Sequence, residues 1–126
     1  IATIERHRML EDVVIYGSVD ALREFKRLRP EVWIMCGHPG SPEKLTQLMK
    51  DLKLETLDGH WMKWSRAEVQ AAHKAGAQVW VDALGLLDFP FGFRRALDLG
   101  VDAIQTDRPE LLLKLLEELG AGNRSE

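Results

Sequence analysis

Residues 76–85, GAQVWVDALG, and 94–119, RRALDLGVDAIQTDRPELLLKLLEEL, decide how this chain folds. They read strand, helix, strand, helix. Val79 to Ala83 and Val101 to Gln105 are short runs rich in β-branched residues with little polar alternation, the composition of strands covered on both faces. Each follows a helical segment that stops at glycine. Gly76 ends the run Ala67 to Ala75 and Gly100 ends Phe93 to Leu99, each supplying the left-handed residue that turns the chain out of a helix. After the second strand, Thr106-Asp107 can cap a helix, and Pro109 suits its first turn, where a missing N–H costs nothing.

Working back toward the N-terminus, the same alternation recurs. Ile4 to Glu11 reads as the end of a helix, followed by a strand at Val13 to Tyr16 and a helix over Val19 to Leu28 capped by Ser18 and closed by Pro30. A strand at Val32 to Cys36 leads through a Gly/Pro loop into the helix Glu43 to Leu52, started by Ser41 or Pro42. Leu54 to Leu57 reads as a weaker strand and Asp58 to Trp64 as loop. Ser65 then caps the next helix, with Glu68 three residues on completing a capping box. Five strands thus alternate with helices, with no linker, low-complexity tract or charge block between them. Such alternation demands a parallel sheet with right-handed crossovers. Two closures fit: a doubly wound open sheet, which matches the length, or part of a (β/α)8 barrel, which needs about 250 residues in full.

The bulk numbers restrict partners more than function. The chain has 126 residues, 45% of them apolar, enough for one domain with a real core. A net charge of −3, with basic residues only in the local clusters Arg6-His7-Arg8 and Lys26 to Arg29, argues against nucleic-acid binding. Both clusters read as solvated helix faces. Cys36, the one cysteine, excludes an intramolecular disulfide and leaves the compartment open. No apolar run approaches the ~18 residues of a membrane span. Ile rather than Met at position 1 suggests that something upstream has been removed. Zinc spacings, a Gly-x-Gly-x-x-Gly and a Walker loop are all missing, which removes the usual supports for a nucleotide-binding open sheet.

The tract Val69 to Leu116 resembles the C-terminal region of the glycerophosphodiester phosphodiesterase family. The likeness is carried by Ala72-His73-Lys74-Ala75-Gly76, the strand Val79-Trp80-Val81, and Gly100-Val101-Asp102-Ala103-Ile104-Gln105-Thr106-Asp107-Arg108-Pro109. The resemblance implies a TIM-type barrel of which residues 1–126 form the C-terminal portion, about five β/α units lacking the N-terminal catalytic strands. It also implies hydrolysis of glycerophosphodiesters to an alcohol and glycerol 3-phosphate with a divalent cation, Mg²⁺ or Ca²⁺. The family's His-Arg-Gly, Glu-x-Asp and Glu-x-Lys elements have no counterpart here, so no catalytic residue and no metal ligand is expected in this chain, and the isolated chain is expected to be inactive. The partner implied is the missing N-terminal part of the barrel, or a second copy joined through exposed sheet edges. The alternative is a non-catalytic α/β domain that binds a ligand or oligomerises.

In an α/β barrel the reacting groups lie at the C-terminal ends of strands, which nominates Ser18, Cys36, the Asp58 to Trp61 segment, Asp82 and Asp107. Asp82 is a candidate for binding glycerol hydroxyls, or equally a strand-end group tied to loop N–H groups. His60 could donate to a phosphate oxygen, and Trp61 could form an apolar wall, though tryptophan is also a common hydrophobic plug. Asp107 reads as a helix cap and His73 as a group favouring a helix C-terminus. Cys36, with no nearby basic cluster, reads as a buried apolar residue, and His38 in His38-Pro39-Gly40 as part of a plain loop.

Overall fold

In the computed structural model, which describes residues 1–122, five parallel strands pair in the order β1-β2-β3-β4-β5. The strands are β1 (Val14–Tyr16), β2 (Trp33–Gly37), β3 (Thr56–His60), β4 (Gln78–Asp82) and β5 (Ala103–Gln105). The helices are α1 (Ala2–Arg6), α2 (Val19–Leu28), α3 (Pro42–Asp51), α4 (Arg66–Lys74), α5 (Pro90–Leu99) and α6 (Pro109–Gly122). Residues 123–126 of the expected domain lie outside the described residues.

The sequential strand order decides between the two closures. A doubly wound sheet reverses direction at a switch point and so carries helices on both faces. Here each strand is added on the same side of its predecessor, and right-handed crossovers that always advance one way place every connecting helix on one face. The result is a wedge of a β/α barrel, with β1 and β5 at its edges.

Local signals explain most boundaries. Ser18, Ser41 and Ser65 each accept a hydrogen bond from the backbone N–H three residues on, and Ser65 and Glu68 complete the expected capping box. Gly100 ends α5 in the left-handed conformation, at φ 86°. Helix α1 is shorter than expected, because Arg8 turns the chain at φ 56°. The larger difference is at β3. Asp58, Gly59 and His60, read from sequence as loop, continue the strand in register with Trp80, Val81 and Asp82, and Trp61–Lys63 form a 3-10 turn. Gly59 sits there at φ 149°, a backbone conformation that side chains rarely adopt, in the middle of a paired strand.

Alternation along the strands sorts their side chains. Ile34, Cys36, Leu57, Val79 and Val81 are buried against Leu22, Leu45, Val69 and Ala72 of the helices. A smaller cluster of Ala83, Phe93 and Leu115 joins β4 to α5 and α6. Ile15, Ile34, Val79, Val81 and Ile104 thus face the helices, while Val14 shares the opposite face with Tyr16. The opposite face carries Tyr16, Asp58, His60, Trp80, Asp82 and Gln105 at alternating positions.

Two polar anchors tie the layers together. Lys26, read as part of a solvated cluster, is instead mostly buried. Its ammonium donates to Glu55 at 2.6 Å and to the Val32 carbonyl at 2.7 Å, while Glu55 also accepts the Ile34 N–H at 3.0 Å. His73 likewise does not serve α4's own carbonyls. Its Nε2 lies 2.8 Å from Asp102, whose carboxylate also accepts the Val79 N–H at 2.7 Å. The two motif residues, 29 apart in sequence, thus form one link that starts the β4–β5 ladder.

Candidate active-site face

Strand register builds the mouth of the wedge. His60 pairs with Asp82 and Asp82 with Gln105, so three polar residues stand side by side at the C-terminal ends of β3, β4 and β5. Adjacent strands lie about 4.8 Å apart, which brings these side chains within reach of a shared small ligand. One row deeper, Gly37, Asp58, Trp80 and Ala103 form the next layer. Burial pushes the Asp58 carboxyl above its ordinary range; the Gly59 N–H opposes this and the Asp82 charge adds to it. Asp58 and Asp82 thus lie on one face, close enough for the Asp82 charge to act on the Asp58 carboxyl. Asp58, Met35, Trp80 and Gln105 line a cavity of about 360 Å³ on this face.

The imidazole of His60 accepts the Met62 N–H on Nδ1 at 3.3 Å, which leaves Nε2 as the neutral ring's donor. It lies over the Trp61 ring at 5.9 Å. Trp61 itself is half-buried and packs against both hydrophobic clusters, so its indole plugs the join between them. Ser18 lies at the edge strand β1, two strands away from β3, with its hydroxyl capping α2. The structure thus brings His60 and Asp82 together, places Trp61 beside them, and leaves Ser18 apart.

The other nominated residues have structural duties. Cys36 is buried on the helix side, and burial, with the Asp58 charge, pushes its thiol up to about 11. The His38 ring is almost fully buried. It accepts the Gly40 N–H on Nδ1 at 3.0 Å, faces Glu68 at 3.1 Å through Nε2, and meets Trp64 edge-on. Asp107 does not cap α6: that helix begins after Arg108, whose carbonyl accepts the Leu111 N–H. The loop is held instead by buried Asp88, which accepts the Thr106 hydroxyl and, at 2.9 Å, the Asp107 N–H. Sequence reasoning missed Trp80 and Gln105 on the open face. Their position two residues from Val-rich or strand-end partners was visible, but not which face the helices would cover.

A family-implied divalent cation finds no set of ligands here. Among the described residues, no group of three or more His, Cys, Asp or Glu side chains could hold a metal ion. Nor, among those residues, is any helix long and apolar enough to cross a membrane.

A singly wound barrel wedge with an acidic, aromatic mouth is the class of structure these features define. Solved structures of the same class are glycerophosphodiester phosphodiesterases. The protein from Galdieria sulphuraria superposes with a TM-score of 0.78 at 23% identity, over 90% of this chain and 47% of its own. That from Parabacteroides distasonis gives 0.76 at 25%, over 93% and 48%. The Agrobacterium tumefaciens protein gives 0.68 at 25%, over 100% and 51%. The chain spans about half the length of the structures it matches, and the resemblance read from its motifs is borne out in the fold. No family model matches the chain, and no curated protein matches it in sequence.

Proposed function

We propose that this chain supplies the C-terminal β/α units of a glycerophosphodiester phosphodiesterase barrel, in a protein that hydrolyses glycerophosphodiesters to an alcohol and glycerol 3-phosphate. The observation that carries the reading is the one-directional strand order, which leaves an uncovered inner face whose mouth holds His60 and Asp82, in a chain matching half of each solved phosphodiesterase. On this reading Asp82 accepts hydrogen bonds from substrate hydroxyls, and His60 donates from Nε2 to a phosphate oxygen. Trp61 backs the histidine, while Ser18, its hydroxyl engaged in capping α2, stays apart at the β1 edge. The remaining strands complete the barrel and bring the acid/base groups, together with the ligands for Mg²⁺ or Ca²⁺. The 126-residue chain alone is inactive.

The test is hydrolysis of bis(p-nitrophenyl) phosphate and glycerophosphocholine with Mg²⁺ or Ca²⁺, by the chain alone and joined to the coding sequence that precedes it in its gene. Activity only in the longer protein supports the reading, and there Asp82→Asn and His60→Ala should each lower kcat/KM by about tenfold or more. Turnover by the chain alone overturns the fragment reading. Inactivity of both favours a binding domain.

A further inference from the structure

The outer rim of the wedge, built by the segments that leave β3, β4 and β5, exposes apolar side chains that neither hydrophobic cluster uses. On the segment after β4, Leu86 is 95% exposed and Phe91 60%, with Phe89 partly uncovered between them; Met62, on the segment after β3, is 64% exposed. Single exposed apolar residues are ordinary. Three large ones within residues 86–91 form a patch that calls for a partner.

The fold holds this patch outward. Asp88 is buried beneath the loop, accepting the Thr106 hydroxyl and, at 2.9 Å, the Asp107 N–H. Four residues on, Gly92 leaves room for the Leu87 carbonyl oxygen, which occupies the space a side chain would need. The backbone is thus pinned on both sides of Phe89 and Phe91, and the apolar side chains protrude as a convex knob.

Charge accompanies the knob. The Arg95 guanidinium lies over the Phe91 ring at 5.5 Å and that of Arg108 over the Phe89 ring at 4.0 Å. Arg95 also shares a cavity of about 660 Å³ with Met62 and Arg66, which makes the rim continuous from β3 to β5. Residues 61–66, 85–95 and 106–108 together carry five basic side chains and two aspartates, one of them the buried Asp88, in a chain of net charge −3. A protruding apolar tip suits a soft apolar medium, which needs no matching groove. Cations at its base suit lipid phosphates at the depth where the tip enters.

We propose that the Leu86–Phe91 loop docks this protein on an anionic bilayer surface, with Leu86 and Phe91 inserted among the lipids and Arg95 and Arg108 on the headgroup phosphates. The docking is peripheral and does not depend on the reaction proposed above.

The experiment cosediments the protein, as its gene encodes it, with vesicles of phosphatidylcholine containing about a quarter phosphatidylglycerol, and with vesicles of phosphatidylcholine alone. The anionic vesicles should bind at least about tenfold more tightly, and about 1 M salt should remove most of the difference. Leu86→Ser/Phe91→Ser and Arg95→Gln/Arg108→Gln should each weaken binding about tenfold or more, with circular dichroism checking that both fold. The single variant Leu86→Ser, at a side chain that touches almost nothing, should fold and still bind more weakly than the parent. Leu28→Ser, on the outer surface of α2, should bind like the parent. Equal binding to both kinds of vesicle, or unchanged binding in the loop variants, overturns the proposal. So does self-association that these variants abolish in a protein that ignores vesicles, since the knob would then serve a second copy. Hydrolysis of water-soluble glycerophosphocholine should be the same in parent and loop variants, so loss of vesicle binding with turnover intact would end this inference and leave the proposed function standing.

Discussion

The two faces of one sheet are built on opposite terms. Toward the helices, Ile34, Leu57, Val79 and Val81 are essentially inaccessible and surrounded by aliphatic side chains. On the other side, residues at the very next positions are Met35, Asp58, Trp80 and Asp82, half-buried, and Met35, Asp58 and Trp80 line an open cavity. A strand that alternates between the two can therefore place its stability on one set of residues and its chemistry on the other, with a single backbone holding both. The helix face is satisfied within this chain. Among the described residues, the open face carries Asp58 and Asp82 with no lysine or arginine at its alternating strand positions.

Substitution on each face should break that division of labour differently. Leu57→Ala removes a fully buried side chain and should cost about 2–5 kcal/mol in urea unfolding. Asp102→Ala deprives the Val79 N–H and His73 of their shared partner and should cost about 1–3 kcal/mol, whereas Asp107→Ala, with its exposed side chain, should stay within about 0.5 kcal/mol. Equal costs for the two aspartates would dissolve the assigned link between α4 and β5.

Reactivity separates the faces further. Cys36, with its thiol pushed up to about 11, should resist alkylation at pH 8 in the folded chain and react readily once urea unfolds it. Rapid native labelling would place it on the accessible side. Asp58→Asn should have the smallest effect on stability and the opposite sign. Because burial raises its folded pKa, the carboxyl favours the folded chain only once protonated, so its contribution falls as pH rises through that value. The amide should slightly raise the urea midpoint at pH 7 and remove the difference on acidification.

Much of this was legible locally. The serine caps of α2, α3 and α4, the glycine stop of α5 and the order of elements depend on contacts three or four residues apart, and the sequence states them directly. The extent of β3 was not: Asp58-Gly59-His60 has the composition of a turn, and only pairing with Trp80 to Asp82 holds it extended. The same limit hid the partner of His73 and the burial of Lys26, whose contacts cross 29 residues of chain each.

The sequence by itself determined the repeating β/α unit and the kinship in fold, because capping, helix termination and strand composition are short-range properties. Tertiary structure alone decided that the strands run β1 to β5 without reversal, and through this that Val79 and Val81 face the helices while Asp58 and Trp80 line an open cavity. Register and strand order are set by contacts between segments some 20 residues apart. No local pattern encodes which side of a sheet the crossovers will cover.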